Sequence, residues 1–344
     1  VQDLTIDYEI PPFTQGKILS VGDQTLVFRP DPGYPLPNST FLTSDIFTSP
    51  GAHGGGFLFD ANQPILKRTS GDYLPITEPA IDRGDGTWTI KTPFSNLAAA
   101  GDRLAYGSRT HFGIRIAFSS DVSFKNIKFY TAPHIAFGAV GNTGQLIFDG
   151  IEIRQTPGTN RVLSGVADAF HLQNNLARVI LKNSWIQGMG DDALNTYALG
   201  MPVGPKSGLA ANQIRVGRYD PMKPFRIGDT ISVLDSSRNI ERFGQGQRAA
   251  IQAVESDGNY WRLTLDRSAG AISEGDLVFS FNLAAPASEI TNNHFASFRG
   301  MFRVLGERSV FANNVIDDDR NAKLLYSIDP YWNEGPPSTP PTTC

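Results

Sequence analysis

Short alternations of apolar and polar residues, punctuated by Asn, Gly and Asp, recur along the chain, and five of them align. They read Phe124-Lys125-Asn126-Ile127-Lys128-Phe129, Phe148-Asp149-Gly150-Ile151-Glu152-Ile153, Leu181-Lys182-Asn183-Ser184-Trp185-Ile186, Ile290-Thr291-Asn292-Asn293-His294-Phe295 and Phe311-Ala312-Asn313-Asn314-Val315-Ile316. Each has an apolar residue, Asn or Gly two places on, and a second apolar residue three places further. Val1 to Ile6 fits too, with Asp3 at the Asn place. Alternation of period two predicts strands. Asn and Gly predict a sharp left-handed bend inside each copy, because they tolerate positive φ.

The offsets between copies set the architecture. From 126 to 150 is 24 residues, from 150 to 183 is 33, and from 292 to 313 is 21. Coils of 21–24 residues, each contributing short strands, predict a right-handed parallel β-helix. The offset of 33 is one coil plus a loop, assigned to Thr156 through Ser164.

Two segments break the repeat and resemble each other. The first holds Gly16 to Val21, Gln24 to Phe28 and Thr87 to Ile90, and closes on Gly101-Asp102-Arg103-Leu104-Ala105-Tyr106. The second holds Gly228 to Val233, Ala249 to Val254 and Trp261 to Leu265, and closes on Gly275-Asp276-Leu277-Val278-Phe279-Ser280. Alternating strands bounded by Gly-Asp turns predict two inserted antiparallel β-barrel-like subdomains. The expected plan is a β-helix over 1–10, 108–197 and 283–335, with insertions at 11–107 and 198–282. A Pro/Thr-rich tail completes it at 336–344. Val1 lies inside a repeat copy and is not Met, so further coils are expected to precede it in the natural gene.

Composition agrees with an all-β chain. Gly (34) and Pro (23) are abundant in 344 residues, and long helix-forming stretches are absent. The net charge of −4 without a basic block excludes the footprint of a nucleic-acid binder. No apolar run reaches the ~18 residues of a membrane span. The single cysteine, Cys344, rules out a disulfide within the chain. These patterns do not set an oligomeric state.

The candidate chemistry lies between Gly165 and Tyr197. Asp168 precedes the doublet Asp191-Asp192 by 23 and 24 residues, one coil of the repeat. Coiling would stack the three carboxylates on one face. Glycosidic hydrolysis needs one carboxylic acid to protonate the leaving oxygen and one carboxylate to activate water or attack. Adjacent strand residues point to opposite sides, so Asp191 and Asp192 need a bend to share a site, and Gly188 and Gly190 allow one. An isolated Gly-Asp is ordinarily a turn. A doublet one coil beyond Ala-Asp-Ala-Phe-His is not isolated. His171 and Asn195 are candidates for binding sugar hydroxyls. Trp332, beside Tyr331 and Glu334, offers a stacking ring with an acid at its edge, and Arg299, His111 and Arg115 are further substrate-binding candidates. The five histidines lack ligand spacing, so no metal and no cofactor is expected. Asp317-Asp318-Asp319 is assigned to an exposed acidic turn rather than a calcium loop.

At these residues the chain resembles glycoside hydrolase family 110. The likeness is carried by Ala167-Asp168-Ala169-Phe170-His171 and Gly190-Asp191-Asp192-Ala193-Leu194-Asn195. Leu4 to Tyr8, Pro11 to Gly16, Thr110-His111-Phe112-Gly113, Arg299-Gly300 and Trp332-Asn333-Glu334-Gly335 extend it. The resemblance implies a β-helix with inserted β-barrels and an inverting exo-α-1,3-galactosidase. It places essential aspartates at Asp168, Asp191 and Asp192, with the acid and water-activating roles held between Asp191 and Asp192 and Asp168 supporting or sharing one of them. It implies a galactose-terminated glycan as partner and a secreted or periplasmic location. The chain departs from the family pattern at Ala169 and at Glu334-Gly335. Three alternatives stand beside this reading. A polygalacturonase-like β-helix hydrolase would want Gly-His-Gly and Arg-x-Lys motifs, and neither is found. The others are a non-catalytic glycan-binding adhesin and a polysaccharide lyase, against which the acid-rich stretch argues.

Overall fold

The computed structural model describes residues 1–39, 55–61, 66–67, 74–107, 112–218, 223–236, 240–244, 246–296, 301–304, 306–317 and 323–325. Among the described residues the chain is all-β, with strands and two short 3-10 turns and no α-helix. None of the described residues form a helix long and apolar enough to cross a membrane.

Two parallel sheets form the frame. The larger holds the repeat copies. Its strands Gln2–Ile6, Ser120–Phe129, Thr143–Asp149, Arg178–Lys182, Glu289–Thr291 and Val310–Ala312 pair side by side. Beyond the bend it continues through Glu152–Ile153, Trp185–Gln187, His294–Ala296 and Val315–Asp317. The register follows the predicted copies: Lys125 lies opposite Asp149, Asp149 opposite Lys182, Lys182 opposite Thr291 and Thr291 opposite Ala312. The bend residues behave as the repeat requires. Asp3, Asn126, Gly150, Asn183, Asn292 and Asn313 all have φ between 52° and 68°. Their side chains also link successive copies, Asn126 donating to Asp3 and Asn183 to Asp149.

The smaller parallel sheet carries Ile114–Ala117, Phe137–Val140, Phe170–Gln173, Leu194–Tyr197, Met301–Val304 and Lys323–Leu325 in that spatial order. Its inward residues face those of the larger sheet across a shared core. Phe124 and Phe148 from the larger sheet stack at 5.7 Å, Phe137 and Phe170 from the smaller stack at 5.2 Å, and Phe148 meets Phe170 edge-on at 5.0 Å. Each buried Phe contributes about 1.5–3 kcal/mol of transfer free energy. Polar groups at the core's corners are paired rather than excluded. Asn142 donates to Asn175, which donates to the Ala139 carbonyl; Asn293 donates to Asn314 and to the Leu181 carbonyl. Such ladders satisfy buried backbone groups at bends that no strand neighbour reaches.

Two antiparallel sheets occupy the segments that break the repeat. The first comprises Phe13–Gly22, Thr25–Pro30, Gly55–Phe59, Leu74–Pro75, Ile81–Asp82, Trp88–Lys91 and Arg103–Gly107. The second comprises Met201–Pro202, Gln213–Gly217, Thr230–Leu234, Ala249–Asp257, Tyr260–Leu265 and Leu277–Ser280. Its two end strands meet at a bridge between Val203 and Val216. Each has its own apolar core, around Phe28, Trp88 and Tyr106 in the first and around Val216, Ile231 and Leu263 in the second. The first also packs against the frame: Phe13, Phe57 and Phe59 form one cluster with Val162, Leu163 and Val166. Gln15 ties the same loop, donating to the Asn160 carbonyl and accepting from the Val162 amide. The loop from Thr156 to Ser164, expected as an insertion in the repeat, thus becomes the seat of the first antiparallel sheet.

Candidate active site

The outward face of the smaller sheet builds the site. Phe170 and Leu172 point into the core, so His171 and Gln173 point out; one strand over, Asn195 and Tyr197 point out in the same way. Register stacks Gly138, His171, Asn195 and Arg303 in one outward row. Phe170 pairs with Leu194, an offset of 194 − 170 = 24, which makes Asp168 and Asp192 equivalent positions of successive strands. The Asp192 carbonyl accepts from the Ala169 amide, and the Asp168 carbonyl from the Ala136 amide, continuing the ladder below the strands.

Glycines shape the turn that presents the acids. Gly188 adopts φ +75°, the bend predicted before the doublet. Gly190 serves a different purpose. A Cβ there would sit 2.6 Å from Cζ of Phe57 and 2.9 Å from the Val166 carbonyl, so the first antiparallel sheet rests directly on the backbone beside Asp191. Asp191 and Asp192 precede the strand Leu194–Tyr197, and strand alternation does not separate them.

The three carboxylates converge. Asp168, Asp191 and Asp192 each place an oxygen within 4.8 Å of the others, with Asp168 and Asp192 buried and Asp191 half-buried. His171 Nδ1 lies 2.5 Å from Asp168 Oδ2, and its Nε2 lies 2.9 Å from the Tyr197 hydroxyl. With the proton on Nδ1, the imidazole donates to Asp168 and accepts from Tyr197. Arg303 Nε stands 3.5 Å from Asp192 Oδ2, and its side chain is almost fully buried. Asn195 is 4% exposed, and its Oδ1 makes no hydrogen bond among the described residues. A buried, unsatisfied acceptor costs about 1–3 kcal/mol, a cost concentrated at sites that bind ligands. Three aspartate oxygens around one point also form a partial donor set for a hard divalent cation. Waters and the second oxygen of each carboxylate would complete such a shell, and the Arg303 guanidinium also brings positive charge to Asp192.

The structure therefore brings together Asp168, Asp191, Asp192, His171 and Asn195. His111, Arg299, Trp332 and Glu334, and the tail at 336–344, lie outside the described residues. Two site residues escaped sequence reasoning. Tyr197 was accessible from strand period alone, since it lies two places beyond Asn195. Arg303 carried a weaker signal, a lone charge in Phe302-Arg303-Val304; its alignment with Asn195 crosses the second antiparallel sheet, over which the repeat cannot be counted. Asp317, expected in an exposed acidic turn, ends a strand and pairs with His294 at 2.6 Å.

No family model matches the chain. An α-1,3-galactosidase A of Bacteroides thetaiotaomicron is 23% identical over an alignment of 367 positions, covering 98% of this chain and 60% of the relative. An α-1,3-galactosidase B of the same organism is 24% identical over 239 residues, covering 67% of this chain and 38% of the relative. An α-1,3-galactosidase A of Bacteroides fragilis is 20% identical over 361 positions, covering 98% and 56%. The chain is distantly similar to Bacteroides α-1,3-galactosidases. It spans 38–60% of the length of these curated relatives. Their names agree with the resemblance to glycoside hydrolase family 110.

Proposed function

We propose that the protein is a galactosidase-like glycoside hydrolase that releases terminal α-linked galactose, with inversion, from a glycan held against the outward row of the smaller sheet. The observation that carries this reading is the convergence of Asp168, Asp191 and Asp192 beside His171, Asn195 and Arg303. The names of the relatives favour galactose as the sugar. In this reading the two parallel sheets are faces of a right-handed parallel β-helix, and the antiparallel sheets are inserted barrel-like subdomains. The bridge between the end strands of the second sheet favours the latter.

Asp192, beside the Arg303 charge, suits the ionised, water-activating role. It takes a proton from water as the water oxygen bonds the anomeric carbon. Asp191, half-exposed at the mouth of the cluster, gives its proton to the leaving oxygen as the glycosidic bond breaks. Asp168 and Tyr197 hold both ring nitrogens of His171 and fix the imidazole beside the acids, and the open Asn195 Oδ1 addresses a sugar hydroxyl. Changing Asp191 or Asp192 to Asn should abolish hydrolysis of an aryl α-galactoside while circular dichroism stays native. Full activity in both variants would sink the assignment.

A specific observation favours a second reading. Inverting pairs are separated by ~6.5–9.5 Å to admit a water, whereas retaining pairs sit ~5–5.5 Å apart. Oxygens within 4.8 Å of one another are nearer the retaining span. In that case one aspartate attacks the anomeric carbon directly. Proton NMR of the first galactose released separates the two: the β anomer means inversion and the α anomer means retention.

A further inference from the structure

One aromatic ring lies on the same outward row as the site and has no part in the chemistry above. Gly138 is the next rung after His171. A Cβ on Gly138 would lie 2.4 Å from Cδ1 of Phe112, so the Phe112 ring occupies the space that a side chain at this rung would fill. Two further features hold it there. Gly113 passes so close to Phe129 that a Cβ would lie 2.3 Å from its Cζ, which fixes the turn immediately after Phe112. The His134 ring lies against Phe112 at 5.7 Å between centroids, tilted by 45°. The ring is nonetheless 38% exposed, and the Arg115 guanidinium stands 5.9 Å from its centroid. A large apolar ring that is supported from beneath, open on the surface and flanked by a cation is a surface onto which the C–H face of a pyranose can stack.

Its position says which sugar. Rungs of a sheet lie about 4.8 Å apart, so Phe112 sits one rung from His171 and two from Asn195. That is the distance at which the next sugar of a chain lies when its terminal residue occupies the aspartate cluster. We propose that Phe112, seated on Gly138, is the stacking platform for the sugar unit that carries the terminal galactose, with Arg115 hydrogen-bonding that unit's hydroxyls. The platform selects glycan substrates whose second unit presents an apolar ring face. This inference rests on the hydrolase reading.

The test compares two substrates that share galactose and differ in the group attached to its anomeric carbon. α-Galactosyl fluoride has no second ring; an α-1,3-linked galactosyl disaccharide has one. Phe112→Ala is expected to lower kcat/KM on the disaccharide by roughly three- to tenfold, the worth of one aromatic stack, and to leave the fluoride unchanged. Gly138→Ala, which displaces the ring without removing it, should reproduce the selective loss, and Phe112→Trp should retain activity on both. Equal losses on the two substrates in Phe112→Ala, or no loss on either, would overturn the platform. If the unaltered protein cleaves neither substrate, the hydrolase reading falls by itself. The platform is then decided by isothermal titration of the disaccharide, where equal affinity in the unaltered protein and Phe112→Ala rejects it and weaker affinity in the variant supports it.

Discussion

Two outward rows of this protein follow the same rule and arrive at opposite results. On the smaller sheet the row runs Gly138, His171, Asn195, Arg303. On the larger sheet an equivalent row runs Glu152, Trp185, His294, Val315. Both place one residue per strand at the same register. In the second row Arg154 lies over Trp185, Trp185 stacks on His294 at 5.4 Å, and His294 pairs with Asp317. Trp185 stays 38% exposed and Val315 53% exposed, and Arg154 pairs with Glu152 of the same row. In the first row Asn195 is 4% exposed and Arg303 9% exposed. The difference comes from what is laid over the row. The first antiparallel sheet presses Phe57 onto Gly190, and the second includes Tyr197 in its core. Electrostatic interactions grow as water is removed, so the covered row both sharpens the repulsion among its carboxylates and makes the Arg303 charge beside Asp192 count for more than it would in water.

Variants can break that contrast, and the largest effect is expected where the covered row meets the acids. Asp192→Asn should cost at least about 10²-fold in kcat, the usual contribution of one acid–base group, whereas Asp317→Asn on the open row should leave kcat unaltered. Comparable losses in the two would erase the distinction. Next is the covering contact itself. Gly190→Ala should destabilise the protein by about 1–3 kcal/mol in urea unfolding through overpacking against Phe57, and lower activity with it. Phe57→Leu in the same chain should recover part of both; unchanged stability in Gly190→Ala would mean that the sheet does not press on the acid turn.

A smaller loss is expected from Tyr197→Phe. It removes one hydrogen bond to His171, worth about 0.5–1.5 kcal/mol, and should reduce kcat/KM by severalfold while His171→Gln reduces it further. The smallest effect concerns the acid limb of stability. Burial pushes the Asp7 carboxyl upward, but hydrogen bonds from Arg161, the Tyr8 amide and Thr156, with the Arg161 charge, hold it below the usual carboxylate range. A carboxyl lowered in the folded state stabilises above its unfolded pKa of about 3.9, and that contribution is lost as pH falls through the folded value. Asp7→Asn should therefore flatten the decline of the urea midpoint below about pH 4 without altering activity at neutral pH. An unchanged acid limb would show that Asp7 does not hold the Arg161 loop.

Local patterns determined the frame. The repeat is written in apolar positions around Asn126, Gly150, Asn183, Asn292 and Asn313, and each bend residue adopts the positive φ that its chemistry favours. The 24-residue spacing alone places Asp168 level with Asp192, and strand period puts His171 and Asn195 on one face. These features are local or periodic, and a sequence records them directly. Tertiary structure decided the rest. Arg303 reaches Asp192 only because the chain returns to the row after the second antiparallel sheet, and the length of that excursion hides the register. Phe57 meets Gly190 across 133 positions (190 − 57), a contact that no periodicity announces. The sequence alone set which residues repeat and which side they face; only packing between distant segments determined which of the two outward rows was partly covered, with Asn195 and Arg303 buried beside the converging carboxylates.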